Sequence, residues 1–189
     1  KLLHCSAHEK NSNDFGSCIG NTPLIYLSSL SEATGCKIYA KCEYMNPTGS
    51  VKDRAAYNMI MEAERKGLRP GGVVSEGTGG NTSISLAQIG KARGYKVILC
   101  MPNNISDEKI DTMRRLGAEV HVQPVVPFSN PLHYAQRAAA LAIEHQGICT
   151  NQFENLANFR AHFGGTGPEI WQQTQRSVDV FVSSAGTGG

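Results

Sequence analysis

The 189-residue sequence predicts an α/β protein built on parallel sheets. Three observations carry that prediction. Short apolar, often β-branched runs alternate with helix-patterned runs along the chain. The connections between them are short and marked by Gly, Pro or Asn. Three loops of special composition, at 46–54, 77–82 and 183–189, each follow a strand-like run, where parallel sheets bind their ligands.

The elements follow in order. Residues 1–18 are polar and irregular and read as an arm. Gly20-Asn21-Thr22-Pro23 is a turn before a short strand at 24–27. A helical turn at 28–34 is ended by Gly35, and a strand at 37–42 leads into the loop Asn46-Pro47-Thr48-Gly49-Ser50. A helix at 51–66 carries Ala56, Met59, Ile60 and Ala63 on one face, with Gly67 past its end. Ser50 followed by Asp53 reads as its start, with Ser50 as N-cap. Residues 73–75 form a buried strand, and the loop Gly77 to Thr82 leads into a helix running to about Arg93 and closed by Gly94. A strand at 96–101 is ended by Pro102. The helix opened by Ser106-Asp107-Glu108 turns Ile110, Met113 and Leu116 inward, with Arg114 and Arg115 in its last turn. A strand at 119–122 follows. Asn130-Pro131 reads as cap and first residue of an alanine-rich helix ending at Gly147. A strand at 148–150, helices at 155–163 and from Gly167-Pro168 to 175, and an apolar strand at 178–182 complete the reading. Gly164-Gly165-Thr166-Gly167 reads as a flexible turn between helices.

The composition supports a sizeable core, being 40% hydrophobic and 18% charged. A net charge of +2 without a basic cluster gives no case for nucleic acid. No apolar run approaches the ~20 residues of a membrane span. Six cysteines with no C-x-x-C pair point to a reducing compartment, cytoplasmic or organellar, without disulfides or zinc. Apart from His4 and His8 in the arm, the histidines form no i,i+3 or i,i+4 pair, so no metal site is expected. The chain starts at Lys1 and stops within a glycine-rich turn, and is expected to be a piece of a longer protein.

Each special loop supports two readings. Lys52 lies in the first turn of its helix, where the positive helix end disfavours a cation. It is either a solvated surface lysine or an amine made nucleophilic by its surroundings. Gly186-Thr187-Gly188-Gly189 is either a turn or a backbone cradle for a phosphate; it is not a P-loop, lacking Gly-Lys-Ser/Thr. Gly77 to Thr82 offers small residues, backbone donors and the polar groups of Thr78, Asn81 and Thr82. That set suits a carboxylate or ring hydroxyl, or else simply caps a helix through Asn81 or Thr82.

Taken together, these motifs closely resemble the cysteine synthase/cystathionine β-synthase family, pyridoxal-phosphate (PLP) enzymes of fold-type II (tryptophan synthase β-like). Ile19-Gly20-Asn21-Thr22-Pro23-Leu24 resembles the family's opening signature, and residues 46–54 its cofactor-lysine motif. The resemblance makes Lys52 the Schiff-base lysine and catalytic residue. Thr78-Gly79-Gly80-Asn81-Thr82 resembles the T-S-G-N-T loop. That implies Asn81 on the cofactor's ring oxygen, and Thr78, Gly79, Gly80 and Thr82 on the substrate carboxylate. Gln152-Phe153 resembles a Q-F pair that adds Gln152 to that carboxylate site. Gly167-Pro168-Glu169-Ile170-Trp171 matches a family helix start. Gly186, Thr187, Gly188 and Gly189 are similar to four residues of the phosphate loop. Gly79 departs from the usual serine, Ser83 from the usual glycine, and Leu156 from a frequent proline. The loop departures bear on substrate choice rather than on the cofactor.

The resemblance implies a β-replacement enzyme making L-cysteine from O-acetylserine, or a similar β-substituted alanine, and sulfide, with Lys52 removing the α-proton. It also implies a homodimer and two domains: residues 1–41 begin a large domain, 42–147 form a small one, and 148–189 resume an incomplete large one. Three alternatives stand beside it. A cystathionine β-synthase with haem would need Cys5 and His8 of the arm as axial ligands, and they are closely spaced. A serine/threonine dehydratase shares the fold, but Asp53 after the lysine resembles the synthase branch. A non-catalytic paralogue or fragment is the third.

Overall fold

The computed structural model describes residues 15–189. Most of the arm, with its His4, Cys5 and His8, lies outside the described residues. Two sheets organise the rest. Strands β1 (Leu24–Tyr26) and β2 (Tyr39–Lys41) pair antiparallel around the short helix α1 (Ser28–Thr34). Tyr26 and Tyr39 meet edge to face at 5.5 Å across the pair. After α2 (Lys52–Arg65), the chain alternates strand and helix: β3 (Val73–Gly77), α3 (Asn81–Ala92), β4 (Lys96–Pro102), α4 (Asp107–Arg115), β5 (Glu119–Gln123), α5 (Tyr134–Glu144) and β6 (Ile148–Cys149). These four strands form one parallel sheet in the order β5-β4-β3-β6. The parallel α/β class read from the sequence is thus realised in this sheet.

Alternation along the strands divides the core. Val74, Val97, Leu99 and Met101 face α2, α3 and α4, where Ile60, Leu86, Ile89, Ile110 and Met113 are buried. Val73, Ile98 and Cys100 face the other way, onto Ala138 and Leu141 of α5. A sheet covered on both faces needs unbroken apolar strands, and the run Val97 to Met101 supplies one. Glycine permits α5 to approach the sheet closely: a Cβ on Gly77 would stand 2.5 Å from the Ala135 backbone. Of the last helices, α6 (Leu156–Ala161) packs on α2, with Ala157 against Ala55 and Met59, and α7 (Gly167–Gln173) is tied to α2 by the Glu169–Arg54 ion pair. No helix among the described residues is long and apolar enough to cross a membrane.

The structure corrects three local expectations. α5 begins at Tyr134 rather than at Pro131. Asn130 spends its side chain on the Leu132 N–H (2.9 Å), an Asx turn, and His133 becomes the cap, accepting from the Ala135 N–H. Gly164 to Gly167 is not a loose turn, because a π-helical turn at His162–Thr166 carries α6 directly into α7. Residues 178–182 are not in a strand. A strand exists only by pairing, and among the described residues no strand lies beside this run. Val180 and Val182 are accordingly 77% and 87% exposed.

Candidate active site

The loop before α2 is shaped by its own polar side chains. Buried Asn46 accepts from the Gly20 N–H (2.8 Å) and donates to the carbonyl and carboxylate of Glu43 (2.9 Å each). Gly49 takes a positive φ of 83° and closes the turn with an N–H bond to the Asn46 carbonyl. Asp53, in the first turn of α2, accepts from the Thr48 N–H (2.7 Å), the Thr48 hydroxyl and the Ser85 hydroxyl (2.6 Å). The expected Ser50–Asp53 capping box is therefore not formed. Ser50 Oγ accepts only from the Lys52 N–H at 3.2 Å, while Asp53 turns back to Thr48. This wiring pins Lys52 as the first residue of α2.

Burial holds the Lys52 amine below the ordinary lysine range. Among the described residues no carboxylate pairs with it; Nζ donates to Thr187 Oγ1 at 2.9 Å. A Cβ on Gly186 would lie 4.0 Å from the same nitrogen. The glycine run at 186–189 thus folds over Lys52 from 135 residues away. His162 stands nearby, and its pKa is lowered by burial and by the charges of Arg54 and Lys52.

The second loop leaves the carboxyl end of β3. Thr78 donates its N–H to the Cys100 carbonyl (2.8 Å) and accepts from the Gly80 N–H (3.4 Å). Neither Asn81 nor Thr82 caps α3; the flanking residue is Gly80, in an extended conformation. Thr82 Oγ1 instead donates to Gln152 Oε1 at 2.6 Å, joining two predicted carboxylate-site residues across 70 positions. Asn81 stands exposed at the first residue of α3, and no Cβ contact is met at Gly80 or Gly188. The structure brings Lys52 to Gly186 and Thr187, and Thr82 to Gln152. Only 77–82, of the three loops, follows a strand of the parallel sheet.

Two residues that sequence reasoning missed support these loops. Glu76, buried in β3, accepts from the Thr150 hydroxyl (2.5 Å), the Gln152 N–H (3.2 Å) and the Gly77 N–H (3.1 Å). Burial outweighs those donors and pushes its carboxyl up to about 7. Asn158 of α6 donates to the Gln152 carbonyl (3.0 Å) and to Thr187 Oγ1 (2.9 Å). A signal existed for Glu76, a carboxylate in an otherwise apolar strand run. For Asn158 it was fainter: Asn155 caps α6 by accepting from the Ala157 N–H, which puts Asn158 one turn on and inward.

The departure at Gly79 has a steric reason. A Cβ there would stand 2.7 Å from Ile105 Cγ1 and Cδ1. Gly79→Ser is expected to lower stability by about 1–2 kcal/mol through overpacking. Ile105→Ala in the same chain is expected to recover part of the loss, and denaturant unfolding of the four proteins checks both effects.

The family described as pyridoxal-phosphate dependent enzyme matches residues 16–189. Cysteine synthase 1 of Neurospora crassa is 52% identical over 190 residues, covering 100% of this chain and 50% of that protein. The cysteine synthase of Dictyostelium discoideum is 49% identical over 184 residues, covering 96% and 49%. The crystal structure of an O-ureido-L-serine synthase superposes with a TM-score of 0.78 at 34% identity, over 85% of this chain and 50% of that one. The chain spans about half the length of the curated relatives it matches.

Proposed function

The chain belongs to the family of pyridoxal-phosphate dependent enzymes, and from that premise we propose that it carries the cofactor-lysine part of a cysteine synthase. The reaction proposed is β-replacement: O-acetylserine, or a similar β-substituted alanine, and sulfide give L-cysteine. One observation supports it most. The half-buried Lys52 amine has no carboxylate partner among the described residues and lies 2.9 Å from Thr187 of a glycine run. An amine whose charge is disfavoured, set against a cradle of small residues, fits an aldehyde that also bears a phosphate.

When bound, PLP supplies the electron sink that lets an amino acid lose a group from its β-carbon. The remaining tasks belong to the chain. Lys52 Nζ would hold the cofactor by its aldehyde carbon, and the free amine would take the proton from the substrate's α-carbon. Thr78, Gly79, Gly80, Thr82 and Gln152 hold the substrate carboxylate, and the Thr82–Gln152 bond supports grouping them. Asn81 would hold the ring hydroxyl, and residues 186–189 would hold the phosphate. Residues 42–147 form the small domain, and the pairing of β6 on β3 supports carrying its sheet just past 147. A homodimer, and a reducing compartment such as the cytoplasm, complete the proposal.

Product analysis of the full-length protein with PLP tests the reading. Sulfide-dependent formation of cysteine from O-acetylserine is expected. Pyruvate or 2-oxobutyrate released without sulfide would move the assignment to a dehydratase, and cystathionine made from homocysteine to a cystathionine synthase.

A further inference from the structure

We propose that Asn158 is a positioning residue that fixes the direction of the Thr187 hydroxyl and ties the cofactor side of the site to the substrate side. The inference rests on the PLP reading above. Asn158 is 2% exposed. Its Nδ2 carries two protons, one directed to the Gln152 carbonyl at 3.0 Å and the other to Thr187 Oγ1 at 2.9 Å. Lys52 Nζ donates to the same Thr187 oxygen, also at 2.9 Å. A hydroxyl has two acceptor positions and one proton. With both acceptor positions filled by donors, the Thr187 proton is turned outward and must find an acceptor in the site. A phosphate oxygen is such an acceptor. When Lys52 engages the cofactor, the Asn158 bond is the one that still restrains the hydroxyl.

The surroundings of Asn158 mark it as more than packing. Its Oδ1 is buried and has no hydrogen-bond partner among the described residues. The glycine turn lies directly against it: a Cβ on Gly189 would stand 2.2 Å from Oδ1. Through the Gln152 carbonyl the same amide meets the segment whose side chain bonds Thr82. One side chain therefore touches both ends of the proposed site and no solvent.

The test is a double-mutant cycle on PLP affinity, using the full-length protein stripped of PLP and titrated with PLP by absorbance. Asn158→Ala is expected to weaken binding by about tenfold, the scale of one hydrogen bond within a charge-binding site. In a Thr187→Val background the same change is expected to matter less than about twofold, because the hydroxyl it orients is gone. An unchanged affinity, or an equal loss in both backgrounds, overturns the inference. The melting temperature of the PLP-free protein is followed in parallel. Should Asn158→Ala fail to fold, Asn158→Ser goes through the same cycle, and failure of both to fold overturns the inference in favour of a purely structural role. A wild-type protein that binds no PLP sinks the functional reading itself. A wild-type protein that binds PLP beside an indifferent Asn158→Ala sinks only the role of Asn158.

Discussion

Lys52→Ala is expected to lower kcat/KM of the full-length enzyme by at least about 10³-fold and to abolish the visible absorbance of lysine-bound PLP. Proton transfer by a placed side chain contributes about 10²–10⁴-fold by itself, and here the same nitrogen also holds the cofactor. A 10³-fold loss corresponds to about 4 kcal/mol of transition-state stabilisation. The geometry offers no substitute: among the described residues, Lys52 alone places an amine on Thr187. Because burial depresses the pKa of this amine, PLP uptake by the PLP-free protein should rise with pH through a value below the ordinary lysine range. A variant that keeps a tenth of the wild-type rate would remove Lys52 from the mechanism. Cysteine formation and the absorbance spectrum, measured on one preparation, separate loss of chemistry from loss of cofactor.

The second large effect is on stability. Arg54, 4% exposed, bonds Glu43 through Nε and Nη2 and Glu169 through Nη1 and Nη2, all between 2.7 and 2.8 Å. Glu169 also accepts from Lys41 Nζ (2.7 Å) and from the Asn21 N–H (2.9 Å). The network clamps the opening turn, β2, α2 and α7 together, one residue-pair away from Lys52. Arg54→Met roughly keeps the volume but leaves Glu43 without its cation and Glu169 with Lys41 alone. Removing one partner of a buried pair costs about 3–5 kcal/mol, and partial exposure of the glutamates puts this case near 3. That is roughly a 10 °C fall in Tm for a domain of this size.

The pH dependence follows from the glutamates. Burial opposes their charge, but the bonds from Arg54 and Lys41 outweigh it and hold Glu169 down at about 2; Glu43 is lowered too, chiefly through Arg54. A depressed carboxyl contributes stability that is present above its unfolded pKa near 4.5 and is lost as pH falls toward 2. Arg54→Met should therefore cost most at pH 7 and progressively less toward pH 3. Thermal unfolding at the two pH values checks this, and an equal loss at both would mean that packing, not charge, is what Arg54 supplies. Arg54→Lys should fall between, because one ammonium cannot fork to both carboxylates.

Much of this was legible in the order of residues. The run Val97 to Met101 could only be an interior strand, and the face Ala56, Met59, Ile60 and Ala63 fixed how α2 lies. Local periodicity is enough for such elements because their hydrogen bonds close within a few residues or along one strand. Lys52 was legible as an amine in an electrostatically poor place, and its motif carried the family resemblance. The misses have separate causes. At 130–134 two local hydrogen-bonding choices competed, and the Asx turn won over the earlier helix start. At 178–182 the β propensity was real, but a strand needs a neighbour and propensity does not supply one.

What the sequence alone determined, then, is the alternation of elements, the two-sided core and the chemical character of three loops. Only the tertiary structure decided which of those loops meet. Thr82 finds Gln152 across 70 positions, and Thr187 finds Lys52 across 135. Those distances in sequence carry no periodic signal. They are closed by the strand order β5-β4-β3-β6, which sets β6 beside β3, and by the packing of α6 on α2. Asn158 is only faintly legible in the sequence for the same reason: its partners are assembled by packing, and only the fold places a buried amide between them.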